Sequence, residues 1–122
     1  MIVGIGTDLV NNKRVENACL RDSFLTRCFT QKEQQLIEQD SQKASGNYAV
    51  KEAVSKAFGT GFRNMELKDI EVLRDDQGKP YVNLFGGALE KAKELNITRI
   101  HVSISNTTQY TIAYVIAESI GV

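Results

Sequence analysis

The chain has 122 residues, 42% of them hydrophobic and 25% charged, which is the composition of an ordinary globular protein and fits a single domain, residues 1–122, with a modest core. Fifteen basic residues balance fifteen acidic ones. No global field therefore draws the protein onto nucleic acid or a membrane surface, and an acidic partner must be met by a local patch.

Cys19 and Cys28 are too few for a disulfide framework or a zinc site and read as reduced, part-buried thiols. The first residues lack a basic segment followed by a long apolar run, and no stretch approaches the roughly 20 apolar residues of a membrane span. A cytoplasmic protein is expected.

Residues Met1–Leu9 are apolar and β-branched with two glycines and predict a strand ending near Asp8. Lys13–Asp22 predicts a short helix. Thr30-Gln31-Lys32-Glu33 is a capping box, since the hydroxyl and the carboxylate can each satisfy an orphan N–H, and a helix through about Gln39 follows. Over Gln42–Phe58 the residues Val50, Ala53, Val54, Ala57 and Phe58 recur at helical spacing and mark a buried stripe. Gly59 stands where a left-handed terminator belongs. Asp69–Arg74 and Pro80–Leu84 flank a turn over Asp75–Gly78, to which Pro80 is also assigned, and predict a hairpin. Gly87–Leu95 reads as a helix, Arg99–Ser105 as a half-buried strand, Asn106–Gln109 as a turn and Tyr110–Glu118 as a strand. The order predicts an α+β fold, an antiparallel sheet of hairpins packed against a long central helix.

With the apolar stripe of that helix facing the core, its opposite face carries Tyr48, Lys51, Glu52, Ser55, Lys56 and Gly59. Glu52 and Lys56, one turn apart, can be a solvated ion pair. They can equally be a carboxylate for a divalent cation beside an ammonium for a phosphate, with Ser55 and Gly59 leaving room for a ligand. Asp8 is either an Asx-turn or cap for the next segment, or a carboxylate at a place where Gly4 and Gly6 permit close backbone approach. Gly4-Ile5-Gly6 does not complete a dinucleotide fingerprint, because Leu9 occupies the third glycine's position, and there is no P-loop. Gly59-Thr60-Gly61 is either a helix cap or a small phosphate-binding loop. His101, the only histidine, falls on the face opposite Ile100, Val102 and Ile104. Hard-oxygen chemistry with Mg²⁺ suits this residue set better than zinc or a serine triad.

Four blocks stand together: Gly4-Ile5-Gly6-Thr7-Asp8-Leu9 with Arg14; Tyr48 through Gly61; Gly78-Lys79-Pro80; and His101-Val102-Ser103-Ile104-Ser105. In these the chain resembles, nearly end to end, the holo-[acyl-carrier-protein] synthases, the small bacterial type of 4′-phosphopantetheinyl transferase. The resemblance implies transfer of 4′-phosphopantetheine from coenzyme A to a serine of acyl carrier protein, with release of adenosine 3′,5′-bisphosphate, in trimers whose sites lie between subunits. It makes Asp8 and Glu52 the Mg²⁺ ligands and Lys56 the residue that meets the phosphates. Gly59, Thr60, Gly61 and Asn106 become contacts of coenzyme A, and Arg14, with Arg21 and Arg27, contacts of the carrier protein. Two positions depart from the family's usual pattern: Asn106 stands for a His and Asn47 for an Arg, each a neutral amide for a cation. Weaker coenzyme A binding is the expected consequence. The alternative reading is a non-catalytic trimeric module that binds coenzyme A or a carrier protein.

Overall fold

In a computed structural model, which describes residues 1–120, β1 (Ile2–Asn11) leads into α1 (Asn12–Ala18), α2 (Asp22–Cys28), α3 (Gln31–Gln39) and the 16-residue α4 (Lys43–Phe58). A 3-10 turn at Leu67–Asp69 precedes β2 (Ile70–Arg74) and β3 (Pro80–Leu84), then α5 (Gly86–Glu94), β4 (Arg99–Asn106) and β5 (Tyr110–Glu118). The strands form a three-stranded sheet, β1-β5-β4, and a separate β2–β3 hairpin, and every pairing is antiparallel. The predicted α+β class and the hairpins hold.

The inner face of the large sheet is built from small residues. Gly4, Gly6, Asp8 and Val10 of β1 lie in register with Ala117, Val115, Ala113 and Thr111 of β5. This lets α4 lie very close. A Cβ on Gly4 would collide with the Ala57 carbonyl oxygen, and one on Gly6 with that of Ala53. The close approach expected at the two glycines is therefore helix against strand, and it carries Asp8 to the flank of α4.

The outer face of the same sheet is apolar and exposed, with Ile5 and Leu9 on β1 and Tyr110, Ile112 and Tyr114 on β5. α4 is buried nearly all round, not along one stripe; only Lys43, Tyr48, Glu52 and Lys56 escape burial. Its end is as expected, with Gly59 in the left-handed region at φ 79°.

Two face assignments on α4, Lys51 and Ser55, are corrected, and Asn47 is placed in the core. Lys51, placed on the open face by the helical wheel, is fully buried, its Nζ 2.8 Å from Glu33 Oε1. It also donates to the Leu67 carbonyl at 3.0 Å and to that of Ile70. Ser55 is buried and its hydroxyl donates to the Glu52 carbonyl at 2.7 Å, so it leaves no room for a ligand. Asn47 is fully buried, its amide donating at 2.9 Å to both Glu33 Oε2 and the Val72 carbonyl. It belongs to the core and cannot stand in for a surface cation. For Lys51 and Asn47 the cause is shared: α3 and β2 close over a side of α4 that the sheet leaves bare, and the Lys51 ammonium and the Asn47 amide N–H groups find partners there instead of solvent.

The Thr30–Glu33 capping box is present, and Glu33 additionally accepts from Lys51, Asn47 and the Val72 N–H. The helix expected over Lys13–Asp22 ends at Ala18, where the chain turns at Cys19–Arg21, and α2, which the sequence did not lead us to expect, follows. Pro80 opens β3 opposite Arg74, just past the turn to which it was assigned.

Lys51→Met alone strands a buried carboxylate and is expected to cost about 3–5 kcal/mol in urea unfolding, much of it recovered by adding Glu33→Leu. Gly6→Ala is expected to cost about 3 kcal/mol or to prevent folding, because the new methyl meets backbone rather than a movable side chain.

Candidate active site

α4 presents Glu52 and Lys56 on the flank where β1 delivers Asp8. Lys56 Nζ lies 3.0 Å from Asp8 Oδ1 and donates to the Thr7 carbonyl at 3.0 Å. The ammonium thus pairs across to the strand, where the helical spacing alone paired it with Glu52. The pair is half in solvent, so it contributes little to stability and leaves Lys56 free to meet an anion.

Asp8 and Glu52 line one cavity of about 380 Å³ together with Arg14 and Tyr48. Leu9, Val15, Ala18 and Phe24 form its apolar wall. Burial pushes the Glu52 carboxyl above its ordinary range, and the Asp8 carboxylate adds to that, while Tyr48 and Lys56 pull the other way. The Tyr48 phenol is pushed up to about 12 by burial and by Glu52. The two carboxylates share a half-buried cleft, and the Asp8 charge disfavours ionisation of Glu52. Their donors are all oxygen, from two different elements, with open space between, which fits a hard divalent ion such as Mg²⁺ and does not fit zinc. Among the described residues no cluster of three or more His, Cys, Asp or Glu side chains is placed to hold a metal. Further ligands would have to come from water or substrate.

The remaining expected residues are distributed as follows. Arg14 lies on the rim of the same cavity, its backbone N–H bonded to the capping Asn11 Oδ1 at 3.1 Å. Arg21 is exposed at the start of α2. Arg27 lies 5.9 Å from the centroid of the Phe24 ring and borders a neighbouring cleft with Phe62 and Met65. Gly59 and Gly61 both have positive φ and open space around them. Thr60 borders a separate cavity with Arg63 and Lys91. Asn106, at the end of β4, does not reach the Asp8 cavity on its own chain and borders two others beside the start of α4. His101 is exposed as expected and pairs with Glu118 at 2.8 Å. The apolar wall was missed in sequence, where no motif or spacing sets Val15, Ala18 and Phe24 apart from other apolar residues.

Fold and site together place two carboxylates and a lysine on one flank of α4, two of them beside a half-buried cavity. Residues 4–115 match the 4′-phosphopantetheinyl transferase superfamily, and the chain belongs to it. It is 58% identical over 120 residues, covering 98% of each chain, to the holo-[acyl-carrier-protein] synthase of Lachnoclostridium phytofermentans. Its fold is similar to that of the crystalline synthase from Neisseria meningitidis, with TM-score 0.83, 35% identity and coverage of 98% of this chain and 100% of that one. The synthase from Bacillus anthracis in complex with coenzyme A (3′,5′-ADP) gives TM-score 0.80 at 34% identity, covering 98% of each chain.

Because the folded Glu52 holds its proton more tightly than an unfolded glutamate, this group's contribution to metal-free stability is most favourable below the ordinary carboxylate range. It falls as pH rises through the folded value. Glu52→Gln removes that fall. In EDTA the variant should melt above the parent at about pH 8 and converge with it near about pH 4, in thermal scans across that range.

Proposed function

We propose that this chain transfers 4′-phosphopantetheine from coenzyme A to a serine of apo acyl carrier protein. The observation that carries the reading is the convergence of Asp8, Glu52, Lys56 and Arg14 on one flank of α4, three of them around a single cavity. The serine hydroxyl attacks the β-phosphorus of the coenzyme's pyrophosphate. The bond from that phosphorus to the bridging oxygen breaks, and adenosine 3′,5′-bisphosphate leaves. Little covalent chemistry falls to the protein; it must hold the reactants in line and offset growing charge on the leaving group.

Asp8 and Glu52 would hold Mg²⁺, which when bound supplies Lewis-acid neutralisation of the pyrophosphate. Lys56, anchored by the Thr7 carbonyl, offers its ammonium to the leaving phosphate. The Val15–Ala18–Phe24 wall excludes water beside the reacting phosphorus and offers the pantetheine arm an apolar surface. Gly59, Thr60 and Gly61 form the loop beside the nucleotide. Arg14, Arg21 and Arg27 give an otherwise neutral chain a basic rim that steers an acidic carrier protein. The protein acts as a cytoplasmic transferase, one domain over residues 1–122, assembled as a trimer. The exposed apolar outer face, Ile5, Leu9, Tyr110, Ile112 and Tyr114, supports association of copies.

Intact-mass analysis of an apo acyl carrier protein incubated with the enzyme, coenzyme A and Mg²⁺ should show the gain of one phosphopantetheine arm, absent in EDTA. A folded protein that binds coenzyme A and leaves several carrier proteins unchanged would instead be the non-catalytic module. Glu52→Gln is expected to lower turnover by about 100-fold or more, with binding of the carrier protein retained. Arg14→Glu is expected to raise the KM for carrier protein about tenfold at low salt, an effect that shrinks as salt rises.

A further inference from the structure

Lys56 follows Glu52 by one helical turn, yet its ammonium is committed to Asp8 Oδ1 and the Thr7 carbonyl, both at 3.0 Å. One turn in the other direction stands Tyr48. Side chains on a helix lean toward its N-terminus, so Glu52 leans back over Tyr48 and away from Lys56. The Tyr48 hydroxyl donates to the Glu52 carboxylate. Burial opposes the charge on Glu52, and of the groups that favour it the Tyr48 hydroxyl counts for more than Lys56. Both side chains border the cavity that Asp8 enters from β1.

The phenol ring is held from behind. Its centroid lies 6.0 Å from that of Phe24, with the planes tilted by 35°. Phe24 in turn meets Phe29 edge-on, at 6.0 Å and 71°, and Phe29 is fully buried. A core ring therefore supports a half-buried one, and that one supports the phenol at the cavity. Aromatic contacts of this kind fix orientation as well as removing apolar area from water. α2, which carries Phe24, thus adds no charge to the cavity but helps to aim a hydroxyl into it.

Packing against Phe24 needs only the ring; the carboxylate is reached only by the hydroxyl. A phenol is protonated at neutral pH and donates, whereas an ionised carboxylate can only accept. Carboxylates that hold a metal are themselves hydrogen-bonded, and loss of such a partner weakens the metal by roughly 10- to 100-fold.

We propose that Tyr48 is a positioning residue: its hydroxyl, backed by Phe24, fixes one oxygen of Glu52 and leaves the other for a divalent cation shared with Asp8. The inference rests on the reading of Asp8 and Glu52 as Mg²⁺ ligands, and it deepens that reading by naming what orients one of them.

The test is a titration of the full chain with Mn²⁺, a hard divalent probe whose free form is counted by electron paramagnetic resonance, without coenzyme or carrier protein. The parent is compared with Tyr48→Phe, which keeps the ring, with Glu52→Gln, and with Tyr81→Phe as a control at an exposed position on β3. Tyr48→Phe is expected to weaken Mn²⁺ about tenfold, at the low end of the range because the phenol is half exposed, and Glu52→Gln to weaken it further. Tyr81→Phe should match the parent. In transfer assays the Mg²⁺ concentration for half-maximal rate should rise in Tyr48→Phe by the same factor as the Mn²⁺ constant. At saturating Mg²⁺ its kcat, and its KM for carrier protein, should stay within about twofold of the parent. Parental Mn²⁺ binding in Tyr48→Phe overturns the proposal, whether transfer falls or not; a raised KM for carrier protein alongside it would assign the hydroxyl to the partner instead. If the parent binds Mn²⁺ no better than Glu52→Gln, or neither binds it, Glu52 is no ligand of the free ion and the proposal falls, while the mass gain of the carrier protein decides the transferase reading separately. Weakened Mn²⁺ binding in Tyr48→Phe, with no transfer by the parent to any carrier protein, would end the transferase reading and leave the role of Tyr48 standing.

Discussion

The close contact of β1 with α4 governs everything that follows in this molecule. At Gly4 and Gly6 a strand rests directly on the backbone of a helix whose own contact residues are Ala53 and Ala57. Interiors are packed densely enough that one methyl group at such a contact must displace backbone. The consequence two residues on is chemical. Asp8 shares the inward face of the strand with the glycines, so the distance that fixes their contact also fixes its carboxylate beside Lys56 and Glu52. A wider helix–sheet spacing would move the strand's acid away from the helix's acid and base together.

α4 is held at this separation from its other side by a buried polar cluster. Glu33 accepts from Lys51, from Asn47 and from backbone N–H groups of Thr30 and Val72, while Glu71 accepts from Thr30 and Asn83. Burial opposes the charge on both Glu33 and Lys51, and their mutual contact offsets that opposition. Such a pair adds little net stability compared with apolar residues of similar shape, but its bonds are directional. Lys51 reaches the carbonyls of Leu67 and Ile70, so the pair ties α3, α4 and the start of β2 in one relative position. Glu52, the next residue, inherits its orientation from that tie.

Charge is distributed unevenly around this frame although it sums to zero over the chain. On one flank of α4 two carboxylates face a half-buried cleft with a basic rim; on the other, Arg74 and Lys43 face a cavity without an acid. The first flank suits a divalent cation and the second an anion.

The five strands, the Thr30–Glu33 cap, the Gly59 terminator and the Asp75–Gly78 turn were legible in the sequence, because each rests on residues a few positions apart and on backbone preferences local to them, whereas α2 was missed. The family resemblance was legible for the same reason, being carried by short ordered blocks. The sequence by itself thus determined the α+β class and singled out Asp8, Glu52 and Lys56. It could not determine the inner and outer sides of α4. A helical wheel assumes one buried stripe, and here a second layer, α3 and β2, turns Lys51 and Asn47 inward. Nor could it pair Lys56 with Asp8, 48 residues away, or bring Arg74 over Gly46. Those contacts depend on how closely small residues let backbones approach, a property of two surfaces at once that no local pattern contains.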